Sequence, residues 1–99
     1  MPSTKHDHDK VRLELIPPEL LMAAGTILTS GAVKYGDGNW LGGMKWSRII
    51  GATMRHFEAW RGGQDLDEES GKSHLWHVAT NIAFLITYEQ RCLGEDDRR

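Results

Sequence analysis

The segment that most constrains the fold is the apolar stretch between Ser73 and Leu93. Its apolar side chains recur at helical spacing and cover much of the helix circumference, which is typical of a helix buried on more than one side. The serine at its start is a good N-cap. The apolar residues are Leu75, Val78, Ala79, Ile82, Ala83, Phe84, Leu85 and Ile86. The pattern predicts a central helix for the whole assembly.

Two shorter helices are predicted before it. The first opens at Pro17-Pro18-Glu19, because proline loses no needed hydrogen bond in the first turn and an early carboxylate suits the helix dipole. We expect it to stop near Ser30, where a glycine follows. The second is expected to be capped by Ser47 and to run to about Trp60, with His56 and Trp60 on one stripe. The sequence therefore predicts an all-α protein.

The chain length suggests one small domain that needs help to bury its core. At 99 residues, it is close to the size at which a chain buries enough surface to be stable alone. We expect a small bundle of three main helices with a Gly/Trp-rich loop, completed by oligomerisation. Residues 1–16 are predicted to be an N-terminal arm with a short extended segment, 17–93 the helical domain and 94–99 a polar, frayed tail.

Composition excludes several classes of partner. No apolar run is long enough to span a bilayer, so no membrane partner is expected. A formal net charge of -2 provides no basic field for duplex nucleic acid. The polar N-terminus lacks the apolar core of a signal peptide, and the single cysteine, Cys92, cannot form an intramolecular disulfide. A cytoplasmic location is expected.

The segment from Lys34 to Trp46 has the composition of a ligand-binding loop. Its glycines let the backbone approach a ligand or adopt positive φ, and its tryptophans can stack on a base. Nearby cations suit a small phosphorylated, ring-bearing ligand. The alternative, that the tryptophans are core and the cations a solvated rim, stays open. These cations are Lys34, Lys45, Arg48, Arg55 and Arg61.

The histidines of the second and third helices form the main candidate site. His74, His77 and Asn81 are three and four residues apart, so they share one stripe of a helix, and that stripe can face His56. Buried polar groups cost about 1–3 kcal/mol each unless they are paired. These groups therefore either satisfy one another or bind something.

Three interpretations of this cluster stay open. The first is a divalent metal site of unknown identity, made of imidazoles and a carboxylate, in which imidazole suits zinc, iron or nickel better than magnesium. The second is a pocket in which imidazole and amide groups bind a base or phosphate, with cations supplying charge. The third is an inert hydrogen-bonded network. The predicted metal ligands are His56, Asp67, His74 and His77.

Three ordered motifs carry a resemblance to a known family. They are Lys34-Tyr35-Gly36-x-x-Asn39-Trp40, Arg55-His56, and Gly63-x-x-x-Asp67-x-Glu69-Ser70-Gly71-x-x-His74-Leu75-x-His77-x-x-x-Asn81. Over about residues 13 to 90 the chain resembles the phage-borne N-terminal domain of dATP/dGTP diphosphohydrolases. The resemblance implies a bacteriophage origin and a link to the all-α, MazG-like nucleotide pyrophosphohydrolases. Those enzymes use magnesium to cleave a nucleoside triphosphate to monophosphate and pyrophosphate.

The chain departs from the MazG-like pattern at its metal ligands. Such enzymes carry E-x-x-E and E-x-x-D on successive helices, where this sequence offers His56 and His74-x-x-His77. The resemblance nevertheless implies that residues 17–93 bind a phosphorylated purine nucleotide and leaves its hydrolysis open. The expected catalytic residues are Asp67, Glu68 and Glu69. The expected ligand-binding residues are Lys34, Tyr35, Asn39, Trp40, Arg55, His56, Trp60, Arg61, His74, His77 and Asn81.

Two other functions stay open at this stage. One is a non-catalytic phage sponge that sequesters a nucleotide, such as a cyclic nucleotide signal of host immunity, in the host cytoplasm. The other is an interaction module whose polar stripe only builds an oligomer core. Since the family label describes the N-terminal part of a larger enzyme, catalysis is alternatively expected to belong to another domain.

Overall fold

The fold is an all-α arrangement, seen in a computed structural model that describes residues 9–98. The described chain contains helices α1 (Pro18–Tyr35), α2 (Trp46–Arg61) and α3 (His74–Arg91), with short 3₁₀ turns at Leu13–Leu15 and Asn39–Gly42. Within this range no strand forms, which confirms the predicted fold class. None of the described helices combines the length and apolarity needed to cross a membrane.

Helix α3 is central, as its apolar pattern predicts. It packs against both α1 and α2. Helices α2 and α3 run in opposite directions, because His56 lies beside His74 near one end of the pair and Trp46 packs with Tyr88 near the other. The predicted N-cap is confirmed, since the Ser73 hydroxyl accepts a hydrogen bond from the N–H of Leu75.

The core of the bundle lies at the end of the α2–α3 pair where Trp46 packs against Tyr88. Trp46, Ile49 and Tyr88 form its buried centre. The hydroxyl of Tyr88 donates a hydrogen bond to the carbonyl of Trp40 at 2.5 Å. The indole of Trp40 also stacks on Phe84, with ring centroids 4.5 Å apart. These contacts fix the glycine-rich loop to the central helix.

Helix α1 is longer than the sequence predicts. It continues through Gly31 to Tyr35 instead of stopping near Ser30. The helix ends at Gly36, which has φ +93° and donates its N–H to the carbonyl of Ala32. A glycine within a helix costs only about 1 kcal/mol, so a helix that is already formed can continue past Gly31. The predicted loop therefore begins later than expected.

The predicted N-terminal arm is only partly within the described residues. Residues 1–8 lie outside them. The expected extended segment between Val11 and Leu15 is a 3₁₀ turn at Leu13–Leu15, closed by a hydrogen bond from the Leu15 N–H to the Arg12 carbonyl. Alternation of apolar and polar residues over so few positions does not distinguish a strand from a turn.

The C-terminal tail is docked on the start of α2, in contrast to the frayed tail that its polar sequence suggests. The Trp46 indole N–H donates to the Leu93 carbonyl at 2.9 Å, and the Trp46 backbone N–H donates to the Glu95 carbonyl at 2.9 Å. Ser47 is not the N-cap of α2, a position held by Lys45. Instead, Asp97 accepts hydrogen bonds from the N–H and hydroxyl of Ser47, at 2.9 and 2.6 Å.

Much apolar surface stays exposed around this core. Val33 is 88% exposed, and Met54 and Leu21 are 62% and 67% exposed. The radius of gyration is 16.2 Å, whereas a compact domain of 100 residues has about 13 Å. Large exposed apolar patches mark interaction surfaces. Completion by oligomerisation stays a prediction, which this exposed surface favours.

Candidate functional site

A large cleft lies between α1, the glycine-rich loop and the α2–α3 pair. Its volume of about 1080 Å³ is at the upper end of the range of about 300–1,000 Å³ for small-molecule sites. The lining combines aromatic, cationic and histidine side chains. Such a lining suits a ligand with both a ring and phosphate groups.

Most of the expected site residues line this cleft. Those expected from the motifs before α2 lie on its loop side, and the histidine and acidic residues lie on the α2–α3 side. They are Lys34, Tyr35, Asn39, Trp40, His56, Asp67, Glu69, His77 and Asn81.

Several expected residues do not reach the cleft. Arg61 pairs with Glu58 at 2.7 Å on the exposed face of α2, and Trp60 packs against Phe57 with ring centroids 5.9 Å apart. Both belong to the last turn of α2, and neither lines the cleft. Helical spacing placed Trp60 on the stripe of His56, but the helix ends there and its side chain is 38% exposed.

Arg55 and Glu68 are also displaced from the main cleft. Arg55 lines a smaller adjoining cavity of about 390 Å³, which shares Arg48 and Asn81 with the cleft. Glu68 is exposed and does not line the cleft. Of the three expected catalytic carboxylates, the structure therefore brings only Asp67 and Glu69 to the cleft wall.

The three histidines converge beside the cleft, with His56 and His77 on its lining. The Nδ1 atoms of His56 and His74 are 2.8 Å apart, and the rings of His56 and His77 stack with centroids 4.5 Å apart and an interplanar angle of 7°. A hydrogen bond between two ring nitrogens needs one proton and one lone pair. The His56–His74 pair therefore cannot have both rings doubly protonated in this geometry.

His74 lies behind the cleft wall instead of on it. It is only 6% exposed, and its Nε2 atom has no hydrogen-bond partner among the described residues. Whichever tautomer His74 takes, this atom is either a buried N–H or a buried lone pair. An unsatisfied buried polar atom in a native structure calls for an explanation, such as an ion or water.

The environment favours the neutral form of two of these rings. Burial lowers the pKa of His56, the nearby His77 lowers it further, and Asp67 opposes the shift. Burial also lowers the pKa of His77, again opposed by Asp67. Neutral imidazole is the form that ligates metals and can both donate and accept hydrogen bonds.

The turn between α2 and α3 holds Asp67 in place. The Asp67 carboxylate accepts a hydrogen bond from the Ser70 N–H at 2.8 Å, the local pattern expected of aspartate at the start of a turn. Gly71 has φ +70° and donates its N–H to the Asp67 carbonyl at 2.7 Å. Burial alone would raise the pKa of Asp67, but the hydrogen bonds with Ser70 and the nearby histidines lower it overall.

One group of side chains has the donors and spacing of a metal site. Ligand atoms of His56, Asp67 and His74 all lie within 4.8 Å of one another. His77 is outside this group, with its Nε2 atom 2.8 Å from the Ser70 hydroxyl and 3.9 Å from the Asp67 carboxylate. Two imidazoles and one carboxylate do not fit magnesium, which takes an octahedron of oxygens. They fit a transition ion that accepts mixed nitrogen and oxygen ligands.

Some cleft residues are not among the site residues that the sequence predicts. Arg48 is predicted only as one of the cations near the tryptophans, although it lines both cavities. It lies eight residues before His56, so both side chains face the same side of α2, which is a signal that spacing could have provided. Lys72, Ser70 and the face of α1 at residues 27–32 carry no such local signal.

Taken together, fold and site define a small all-α protein with a cationic and aromatic cleft beside a histidine–carboxylate cluster. Residues 1–98 match the family model described as dATP/dGTP diphosphohydrolase, N-terminal, so the chain belongs to that family. A similar protein is the "dATP/dGTP diphosphohydrolase" of Salmonella phage PMBT28, which is 33% identical over 99 residues, covering 100% of this chain and 34% of the phage protein.

The match extends over only part of that relative. The chain spans about a third of the length of the phage protein. The relative's phage source agrees with the bacteriophage origin that the resemblance implies. No solved structure matches the chain.

Proposed function

We propose that the chain binds a phosphorylated purine nucleotide in the cleft between α1 and the α2–α3 pair. The observation that carries the proposal is the lining of this cleft, where Trp40 and Tyr35 lie in the same cavity as Lys34 and Arg48. The family description and the name of the phage relative point to dATP or dGTP. Such a nucleotide would be met in the cytoplasm of an infected host.

The cations of the cleft are suited to the phosphates. Arg48 offers a planar fork of donors that matches phosphate oxygens, and Lys34 and Lys72 add point charges. Lys34 is 3.8 Å from Glu69, but both side chains are largely exposed. An exposed ion pair contributes only about 0–1 kcal/mol, so a phosphate can replace Glu69 as the partner of Lys34 at little cost.

The aromatic and amide groups are suited to the base. Trp40 and Tyr35 provide ring faces, and stacking on an aromatic side chain contributes about 1–3 kcal/mol per base. Asn39 and Asn81 line the same cleft and carry both donors and acceptors. A purine edge offers the complementary pattern. We assign base contacts to this part of the cleft.

Hydrolysis is the second step of the proposal. A water oxygen would attack the α-phosphorus, the bond from that phosphorus to the oxygen bridging to the β-phosphorus would break, and pyrophosphate would leave. Asp67 or His77 would take the proton of the attacking water, since both line the cleft. A divalent cation at the histidine cluster would neutralise phosphate charge. The comparisons give the sequestering alternative no support.

Calorimetric titration of the full chain with dATP, dGTP and dCTP tests the binding proposal. Arg48→Ala removes a charge-assisted contact of about 1.5–3 kcal/mol, which corresponds to a rise in Kd of roughly 10- to 140-fold. Arg91→Ala is the matched control, because Arg91 is exposed at the end of α3 and does not line the cleft. The proposal is wrong if no purine nucleotide binds, or if both variants bind it as wild type does.

Chromatography of the same mixtures separates turnover from retention. Monophosphate and pyrophosphate, formed in proportion to the protein, support hydrolysis. Unchanged nucleotide released by denaturation after prolonged incubation with divalent ions supports retention, and then the hydrolytic step is refuted while the binding step stands. Asp67→Asn should lower the rate of monophosphate formation, since it removes a proton acceptor from the cleft wall.

A further inference from the structure

The structure assigns a transition-metal site to His56, Asp67 and His74, one that takes a zinc-class ion and discriminates against magnesium. This inference deepens the proposed function, because two of the ligands, His56 and Asp67, line the nucleotide cleft. It also departs from the magnesium chemistry that the MazG-like resemblance implies. The ligand set, its geometry and the groups that orient it each support the assignment.

The donor atoms determine the class of metal. Two imidazole nitrogens and one carboxylate oxygen are a set shared by zinc and other late transition ions. Magnesium prefers oxygen ligands and keeps several waters. A set of three protein ligands with an open position is the arrangement of catalytic zinc sites, where water or substrate completes the coordination. A nucleotide phosphate in the cleft could take that position.

The distances are close to those that ligation needs. At a metal–nitrogen bond of about 2.0–2.1 Å, the 2.8 Å separation of the two Nδ1 atoms subtends an angle of nearly 90° at the ion. Tetrahedral ligation needs about 3.3 Å between the same atoms. The rings therefore have to separate by only about 0.5 Å, which small side-chain rotations provide.

The chain also supplies groups that orient the ligands. His77 stacks on His56 and limits the rotation of its ring. The His77 Nε2 atom is 2.8 Å from the Ser70 hydroxyl, and the Ser70 N–H donates to the Asp67 carboxylate. His77 is thus a positioning residue in this assignment and not a fourth ligand. Partners of this kind typically change metal affinity by about 10- to 100-fold when they are removed.

The buried Nε2 atom of His74 is a separate feature of the site. It has no partner among residues 9–98, and ligation through Nδ1 does not change that. The assignment therefore depends on the ligand atoms of His56, Asp67 and His74, which lie within 4.8 Å of one another.

Titration of the full, metal-stripped chain with Zn²⁺, Co²⁺ and Mg²⁺ tests the assignment without any nucleotide. We expect one Zn²⁺ or Co²⁺ per chain, no measurable heat with Mg²⁺, and visible absorption from bound Co²⁺. His56→Ala, His74→Ala and Asp67→Asn should each weaken Zn²⁺ binding by at least about 100-fold. His77→Ala should weaken it by about 10- to 100-fold and keep the stoichiometry.

Two controls keep the test decisive. The double variant His6→Ala/His8→Ala removes the other histidine pair of the sequence and should bind Zn²⁺ as wild type does. Circular dichroism of Asp67→Asn, an isosteric change, shows whether lost binding reflects lost helix. Absence of Zn²⁺ binding, loss of binding only in the His6/His8 variant, or equal binding of Zn²⁺ and Mg²⁺ would each overturn the assignment. Nucleotide titration of the metal-free chain reports separately on the proposed function.

Discussion

The hydroxyl of Tyr88 should determine how firmly the glycine-rich loop is held on the bundle. Tyr88 is fully buried, and its hydroxyl donates to the carbonyl of Trp40 at 2.5 Å. Burial raises the pKa of Tyr88, so the phenol keeps its proton and donates at neutral pH. Tyr88→Phe removes the donor, keeps the ring in the core and leaves the Trp40 carbonyl without this partner.

The cost follows from that lost contact. The Trp40 carbonyl keeps a second hydrogen bond, from the Gly43 N–H at 3.2 Å, so the variant loses one hydrogen bond, which contributes about 0.5–1.5 kcal/mol. For a domain of this size each 1 kcal/mol lowers Tm by about 4–8 °C, so a central value of about 1 kcal/mol predicts a drop of roughly 4–8 °C. Thermal unfolding followed by circular dichroism measures it, at one fixed protein concentration because an oligomer makes Tm concentration-dependent.

Tyr35→Phe is the matched control for stability. The same oxygen is removed from a side chain that is 63% exposed, so Tm should change by less than about 2 °C. The Tyr88 variant should also bind purine nucleotide more weakly, because the loop that carries Trp40 is loosened. Equal Tm values for the two variants would refute the claim that this hydrogen bond anchors the loop.

Three further predictions concern the tail, the cap of α2 and the exposed surface. Gly94 has φ +74°, and a Cβ there would collide with the Met44 carbonyl. Gly63 also has a positive φ, +102°, but has open space around it. The substitution Gly94→Ala should therefore lower the urea midpoint of unfolding more than Gly63→Ala does. Hydrogen bonds from the Ser47 side chain, and to a lesser extent from its backbone N–H, lower the pKa of Asp97 in the folded protein. The Asp97 carboxylate therefore stabilises the fold fully at a pH above the pKa of the unfolded chain. This contribution is lost as pH falls through the pKa of the folded state. The difference in unfolding free energy between wild type and Asp97→Asn should therefore shrink as pH falls from about 5 to about 2. Light scattering after size exclusion should give a mass above 11.2 kDa; a monomer at micromolar concentration would contradict the oligomer prediction.

The sequence predicts well the features that depend on neighbouring residues. Helical spacing places His74, His77 and Asn81 on one stripe, and the structure brings the two histidines of that stripe to His56. Ser73 caps α3 as its position predicts. Both inferences need only the geometry of one helix and its first turn.

Features that join distant parts of the chain escape local patterns. Asp97 binds Ser47 across 50 residues of sequence, so a polar tail that is typically frayed is in fact docked. The face of α1 at residues 27–32 lines the cleft because α1 and α2 both pack on α3, and no spacing rule places α1 there. Trp60 is the reverse case, because a local pattern predicts a cleft residue that the structure does not place there. Helical spacing puts Trp60 on the stripe of His56, but Trp60 lies in the last turn of α2 and does not line the cleft.

The end of α1 illustrates a competition between local terms. Gly31 is a reasonable stop signal, but its cost within a helix is only about 1 kcal/mol. The residues that extend α1 bury little, since Val33 is 88% and Tyr35 63% exposed, and each further residue of an existing helix adds a backbone hydrogen bond. The helix therefore continues to Tyr35, where Gly36 supplies the positive φ that ends it.

The central claim, that the cleft receives a purine nucleotide beside the histidine cluster, can be tested by the indole signals of the ¹⁵N-labelled protein. The chain has four tryptophans, of which Trp40 lines the cleft and Trp60 and Trp76 do not. During titration with dGTP, the Nε1–H signal of Trp40 should shift saturably while those of Trp60 and Trp76 stay in place. A shift confined to Trp60 or Trp76, or no saturable shift at all, would contradict the account.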